Sequence, residues 1–177
     1  MFIKDVFSFY SLYVFVTVTK TAEYSDVVSV TYTVNGGAEE ELALTGGTIS
    51  VTEEGETDIV VTAKTKAGEE ATASTTVRID KTAPTFDFDV VDGAGSVEGR
   101  VTNEDVTIVA ENVEDAVSGV AKVEYAVIPE GTAAENYEEI AENGGKYEVD
   151  YAVEDAFTGT VKVRVTDVAG HVTVKSM

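Results

Sequence analysis

The sequence predicts an all-β protein made of two similar antiparallel β-sandwiches in tandem. Three observations lead to this prediction. Apolar and polar residues alternate with a period of two through most of the chain, turn residues separate the alternating runs, and the second half of the chain repeats the pattern of the first.

The composition allows packed cores. The chain has 177 residues, of which 44% are hydrophobic and 25% charged, so it suits one large domain or two small ones. Val, Thr, Ile, Tyr and Phe are plentiful, whereas acidic disordered segments lack β-branched and aromatic residues. A disordered chain is therefore excluded.

The charge balance narrows the class of partner. The chain has 12 basic and 33 acidic residues, a formal net charge of −21. Such a field repels nucleic acid and anionic membranes and attracts cations. The chain also has no cysteine, which excludes disulfides, thiolate zinc sites and a cysteine nucleophile.

The alternating runs predict strands with one face toward a core. In residues 159–167, valines alternate with Lys162, Arg164 and Thr166. Only the segment AAENYEEIAE, residues 133–142, fits a helical turn or two, and it fits a loop equally well. The residues expected to face inward are Val28, Val30, Tyr32, Val34, Ile59, Val61, Ala63, Ala71, Ala73, Thr75, Val77, Ile79, Val123, Tyr125, Val127, Val161, Val163 and Val165.

The N-terminal stretch MFIKDVFSFYSLYVFVTVTK predicts a strand in preference to a signal peptide. Asp5 interrupts the basic end, and no small-x-small cleavage site precedes Lys20. Val14, Val16 and Val18 alternate with other residues as in a strand, and the stretch is too polar for a membrane span.

The internal repeat locates the boundary between the two copies. DVVSVTYTVNGG from Asp26 resembles SGVAKVEYAVIPEG from Ser118, and TDIVVTAKTKAGEEATA from Thr57 resembles GTVKVRVTDVAGHVTVK from Gly159. The offset is about one hundred residues, the size of one sandwich domain. Both copies contain an Ala-Gly turn, at Gly68 and at Gly170, where we expect a positive φ.

The stretch DKTAPT, residues 80–85, falls between the two copies. Pro84 lacks an amide hydrogen and restricts Ala83 to extended geometry. We therefore expect a short, stiff connector between a domain at 1–80 and a domain at 81–177.

Four motifs carry a family resemblance: VRIDKTAPT at 77–85, NEDVTIV at 103–109, SGVAKVEY at 118–125 and GTVKVRVTDVAGH at 159–171. They resemble bacterial Ig-like domains, which occur in tandem arrays on surface proteins and in some phage structural proteins. The second copy matches over nearly its whole length, and the first from about Val27 to Lys81. The resemblance implies two immunoglobulin-like sandwiches, an extracellular location on a cell surface or a virion, and a protein or glycan surface ligand.

Two departures from this pattern bear on assembly. The first copy has no counterpart of VDGAGSVEGRVTNED, so residues 1–13 are expected to form a shortened or atypical first strand. The second copy's last strand, HVTVKSM, is short, as in a fragment of a longer array or an incomplete edge. Strand exchange is the alternative, in which the N-terminal strand of one subunit completes the sheet of another.

No catalytic constellation stands out. His171 is the only histidine, and no GxSxG, HExxH or phosphate-binding glycine loop occurs. Acidic residues are too numerous for the sequence to select a catalytic pair. The chain is therefore predicted to be non-enzymatic and to need no organic cofactor.

The acidic residues suggest a calcium site at the connector. DFDVVDG at 87–93 predicts a strand with Asp87 and Asp89 on its wet face, and not a calcium loop. In an Ig sandwich, however, the chain enters at the end that carries the B–C and F–G loops. Carboxylates could converge there and bind calcium, or they could form a solvated acidic surface. The candidate ligands are Asp80, Asp115, Asp167, Glu114 and Glu54, with Glu53 and Glu56 nearby.

Three functions follow. The first is a spacer or stalk of a surface or virion protein, with loops or sheet faces that meet a partner. The second is a self-assembling, pilus-like filament subunit joined by strand exchange to copies of itself. The third, a carbohydrate-binding module, is disfavoured because the chain has no tryptophan, although it has eight tyrosines.

Overall fold

The computed structural model describes residues 9–10, 14–18, 26–153 and 158–177. The chain divides into two compact units, residues 1–81 and 82–177. Both are immunoglobulin-like sandwiches, so the predicted all-β fold is confirmed. Segment 133–142 contains no helix; it holds the strand Glu138–Glu139, and Glu142 at its end begins the strand Glu142–Asn143.

The first unit has seven described strands in two sheets. One sheet has the order β1-β7-β6-β3-β4, and the other pairs β2 with β5. In the described residues no strand lies beside β2 on its other edge. The shortened first strand expected at residues 1–13 lies outside the described residues except at Phe9–Tyr10. The strands are β1 Phe9–Tyr10, β2 Val14–Val18, β3 Val27–Val34, β4 Glu40–Glu41, β5 Gly47–Val51, β6 Gly55–Thr65 and β7 Glu70–Ile79.

The second unit has nine described strands. One sheet has the order β13-β14-β10-β8-β9, and the other has the order β12-β11-β15-β16. The strands are β8 Thr85–Asp92, β9 Gly95–Ser96, β10 Val106–Glu114, β11 Val120–Pro129, β12 Glu138–Glu139, β13 Glu142–Asn143, β14 Lys146–Tyr151, β15 Gly159–Asp167 and β16 Val172–Ser176.

Each unit closes its own core from inward-facing β-branched side chains. Alternation predicts most of these positions correctly because side chains on a strand point to opposite faces in turn. The first core consists of Val30, Ile49, Val51, Ile59, Val61, Ala63, Val77 and Ile79. The second consists of Phe86, Val90, Val106, Ile108, Ala110, Val123, Ile140, Val163 and Val165.

Three of the predicted inward positions are wrong. Val28 is 51% exposed because β3 has a register shift between Val27 and Ser29, and an extra residue turns the side chain outward. Val34 ends β3 beside the Asn35–Gly36 turn, so little of the core covers it. Ala71 lies near the start of β7 and is exposed.

Candidate functional site

The carboxylate of Asp115 organises the turn between β10 and β11. Its Oδ1 accepts hydrogen bonds from the amides of Val117 (3.2 Å), Ser118 (2.8 Å) and Gly119 (2.8 Å). Aspartate commonly holds a turn in this way, since its short side chain reaches amides a few residues on. Burial raises the pKa of Asp115, but the amides and the Ser118 hydroxyl lower it further, so the pKa lies below its ordinary value.

Asp167 holds the turn between β15 and β16 in the same manner. Its Oδ1 accepts from the amides of Gly170 (2.6 Å) and His171 (2.8 Å), and its Oδ2 lies 2.8 Å from Nδ1 of His171. The Asp167 side chain has no exposed surface. The His171 ring must carry a proton on Nδ1 to donate to this carboxylate.

The two turns form one structure, which we call the loop cluster (residues 115–119 and 167–171). The amide of Val168 donates to the Gly119 carbonyl (3.0 Å), and the amide of Ala169 donates to Oγ of Ser118 (3.3 Å). The sandwich thus brings two turns far apart in sequence together at one end of the second unit. Asp115 and Asp167, which the sequence predicts as candidate calcium ligands, both lie within the loop cluster.

The other candidate calcium ligands are not among the residues of the loop cluster. Glu114 ends β10 opposite Thr85 and is exposed. In the first unit, Oε1 of Glu54 accepts the amide of Lys81 (2.9 Å), and Asp80 is fully buried. The carboxylate of Glu54 therefore helps fix the end of its own unit.

Oδ2 of Asp115 is the oxygen of the loop cluster that bears on the calcium prediction. Oδ2 of Asp115 is buried and, within the described residues, accepts no hydrogen bond. A buried carboxylate oxygen without a partner is costly, and a cation would satisfy it. The predicted calcium site stays a prediction.

Charged side chains form a network on the outer face of the second unit, and the sequence analysis did not predict this network. Glu124 is 8% exposed and accepts from Nε (3.0 Å) and Nη2 (2.9 Å) of Arg164, and Lys122 lies 3.1 Å from it. Burial raises the pKa of Glu124, but Lys122 and Arg164 lower it further, so its pKa lies below the ordinary value.

The same network extends to the segment before β12. The ring centroid of Tyr137 lies 3.8 Å from Cζ of Arg164, its hydroxyl donates to Glu135 (3.0 Å), and Glu135 pairs with Lys162 (2.5 Å). Alternation in the sequence places Lys162 and Arg164 outside the core. The β11–β15 register puts Glu124 directly opposite Arg164, so the register selects the partner of Arg164.

Comparisons with known proteins give likenesses in structure only. Neither a protein-family model nor a curated protein matches the chain. The fibronectin(III)-like modules of Clostridium thermocellum CbhA are similar with a TM-score of 0.42 and 17% identity, over 96% of this chain and 85% of that chain. A structure concerning host cell surface retention of a 1.5-MDa bacterial ice-binding adhesin is similar with a TM-score of 0.47 and 19% identity.

The second of these similarities covers 94% of this chain and 56% of the adhesin chain, so the chain spans little more than half of that structure. No helix among the described residues is long and apolar enough to cross a membrane. The fold, two tandem immunoglobulin-like sandwiches, rests on the strand order of each unit.

Proposed function

We propose that the chain is a non-enzymatic structural and adhesive module, a spacer or stalk segment of a cell-surface or virion protein. The observation that carries this proposal is the tandem of two separately closed cores with only residues 80–84 between the last strand of one unit and the first strand of the next. Repeated domains on short connectors set a length with little loss of stiffness.

Hydrogen bonds fasten the connector at both ends, each to its own unit. The Lys81 amide donates to Glu54 (2.9 Å) in the first unit. In the second unit, the Thr173 hydroxyl donates to the buried Pro84 carbonyl (2.6 Å). Few residues remain to swing, and Pro84 restricts φ further, so the connector suits a spacer better than a flexible tether.

The strands at the two ends of each unit are also linked, which matters for a module under tension. In the first unit, β1 pairs in parallel with β7, at Phe9 opposite Arg78 and Tyr10 opposite Ile79. In the second unit, Thr173 of β16 donates to the carbonyl of Pro84, just before β8, and Lys175 donates to the carbonyl of Phe86 in β8. Pulling on the ends of a unit loads these links along the strands, so several bonds must break together.

The first unit offers a sheet face for a partner. Thr31 lies opposite Thr62, and Thr62 lies opposite Thr72, so three hydroxyls line up across β3, β6 and β7. A second row has Thr33 and Ser74 on either side of Val60. Hydroxyls both donate and accept hydrogen bonds, which suits a protein or glycan surface ligand. The acidic excess disfavours nucleic acid and anionic membranes as partners.

Force spectroscopy tests the spacer function. The whole chain, pulled by its ends, is expected to unfold in two separate steps, one for each unit. The second unit has 96 residues and the first has 81, so its step should be longer by about 50 Å. A single cooperative step, or extension with no resisting step, would overturn the proposal.

Paired variants identify which links bear the force. Thr173→Val and Lys175→Met remove the side-chain bonds to β8, and we expect them to lower the force of the longer step alone. Ser176→Ala is the matched control, since Ser176 alternates with Lys175 and faces the other side of the sheet. Equal forces for all three variants would contradict the role given to β16.

A further inference from the structure

Asn143 and Gly144 lie at the tip of the hairpin between β13 and β14. Asn143 ends β13 opposite Lys146, the first residue of β14. Between them, Gly144 (φ +64°) and Gly145 (φ +87°) both have a positive φ, as in a two-residue type I′ turn. An asparagine followed directly by glycine is prone to deamidation, because glycine has no Cβ to shield the backbone nitrogen that attacks the side chain.

Both reacting groups at this tip are accessible. The Asn143 side chain is exposed and, within the described residues, takes part in no hydrogen bond. The Gly144 amide likewise donates to no backbone carbonyl of the described chain. Strand β13 has two residues and lies at an edge of its described sheet beside β14, so the tip opens at the cost of few bonds. The Gly144 nitrogen can therefore reach Cγ of Asn143 without unfolding of the second unit.

The other Asn-Gly pair of the chain, Asn35–Gly36, is held in place by hydrogen bonds. The Asn35 amide donates to the Asp58 carbonyl (2.8 Å), and Oδ1 of Asn35 accepts the Asp58 amide (2.8 Å). The side chain of Asn35 thus acts as a backbone carbonyl at the end of the β3–β6 ladder. Attack by the Gly36 nitrogen must first break this bond, so Asn35 is protected in the folded chain.

The remaining asparagines are less suited to the reaction. Asn103, Asn112 and Asn136 are each followed by a residue whose side chain crowds the attacking nitrogen. Nδ2 of Asn112 also donates to Asp87 (2.7 Å). Asn143 is therefore the asparagine that combines an exposed side chain, an unengaged amide and a glycine as its next residue.

We propose that Asn143 is a site of spontaneous deamidation in the folded chain. The Gly144 nitrogen forms a bond to Cγ of Asn143, the Cγ–Nδ2 bond breaks, and the proton of the Gly144 amide leaves with that nitrogen as ammonia. Water then adds to either carbonyl of the resulting cyclic imide and breaks one C–N bond, which gives aspartate or isoaspartate. This goes beyond the spacer function, which requires nothing of Asn143.

Either product changes the hairpin between β13 and β14. The aspartate product places a carboxylate opposite Lys146, which already pairs with Glu111 (2.9 Å). The isoaspartate product lengthens the main chain by a methylene, which shifts the register of β13 against β14. Both residues of β13 are exposed, so the core of the second unit is expected to persist. Deamidation thus marks the age of a molecule while its sandwich stays folded.

Incubation of the whole chain at mildly alkaline pH tests the proposal, since base speeds removal of the amide proton. Peptide mapping by mass spectrometry should show aspartate and isoaspartate accumulating at Asn143. Conversion at Asn35 should be slower by about tenfold, the factor that one net hydrogen bond supplies. Denaturant removes the bond between Asn35 and Asp58, so in denaturant the two asparagines should convert at similar rates.

Ammonia release gives a second readout. The native Asn143→Gln variant should release little ammonia, because the longer glutamine side chain cyclises far more slowly. Asn136→Gln is the matched control at another exposed asparagine, and it should release ammonia as the wild type does. Three results would overturn the proposal: a native Asn143 that stays intact while the denatured chain converts, equal native rates at Asn35 and Asn143, or wild-type ammonia release from N143Q.

Discussion

The guanidinium carbon of Arg164 lies 3.8 Å from the centre of the Tyr137 ring. The contact joins β15 to the segment that leads into β12, and the same guanidinium binds Glu124 on β11. One side chain thus connects three parts of the second unit by a cation–π contact and a charge-assisted hydrogen bond.

Replacing Arg164 by Met should destabilise the second unit by about 1–3 kcal/mol, because Glu124 loses its main partner while remaining largely buried. Burial raises the pKa of Glu124, but Lys122 and Arg164 together hold its folded-state pKa below the ordinary value. Its contribution is therefore present above that ordinary value and lost as the pH falls through the folded-state pKa. Urea unfolding should show a larger difference between variant and wild type at pH 7 than in acid.

Lys146→Met is the matched control for this experiment. Lys146 pairs with Glu111, and both side chains are about half exposed, so solvent screens the pair and its loss should change the free energy of unfolding little. Equal losses for R164M and K146M would show that burial of Glu124 has no bearing on stability.

The carboxylate of Asp115 should stabilise its turn mainly by accepting hydrogen bonds, and to a smaller extent through its negative charge. Asp115→Ala leaves the amides of Val117, Ser118 and Gly119 without their acceptor, which should cost about 1–3 kcal/mol. Asp115→Asn keeps a carbonyl oxygen and should lose less. Since the pKa of Asp115 is lowered, the wild type should lose this stability as the pH falls through the folded-state value, and D115N should not.

Chemical denaturation of D115A and D115N across a pH series checks this prediction. If D115N and D115A were equally unstable, the turn would depend on the negative charge and not on the accepted hydrogen bonds.

Alternation in the sequence predicts the strands well because side-chain direction on a strand depends only on neighbouring residues. The wrong position at Val28 marks the limit of that rule. A bulge depends on how β3 pairs with β6, which lies some thirty residues away, and nothing local in DVVSVTYTV signals it. The glycine turns were predictable because a positive φ selects glycine locally.

The candidate site was predictable only in part. Asp115 and Asp167 could be named, since Ig topology brings the loops that contain them to one end of the sandwich. Their use as turn acceptors depends on side-chain rotamers. The partner of Arg164 depends on the β11–β15 register, and a chain with 33 acids offers far too many alternatives.

Substitution of the glycine in either Ala-Gly turn should destabilise only the unit that contains that turn. Gly68 has φ +88° and Gly170 has φ +97°, and a Cβ at either would meet no atom within 4 Å. Substitution by alanine is therefore penalised by backbone strain alone, about 1–2 kcal/mol. Hydrogen exchange should show faster opening of β6 and β7 in Gly68→Ala and of β15 and β16 in Gly170→Ala.

Asparagine at either glycine should be milder than alanine, since asparagine tolerates positive φ. Faster exchange in both units from one substitution would mean that the two cores unfold as one, contrary to their separate packing.

Calcium should raise the melting temperature of the chain. The sequence predicts ligands at Glu54, Asp80, Glu114, Asp115 and Asp167, and the buried Oδ2 of Asp115 adds a reason for a cation there. Calcium at one hundred times its dissociation constant would stabilise the folded state by about 2.7 kcal/mol, which is readily seen as a shift in Tm.

Asp115→Asn should remove most of the calcium-induced shift in Tm while keeping the turn, and Glu148→Gln on β14 should leave that shift unchanged. The same Tm in chelator and in millimolar calcium would show that these carboxylates bind no calcium, because a bound ion must stabilise the state that binds it.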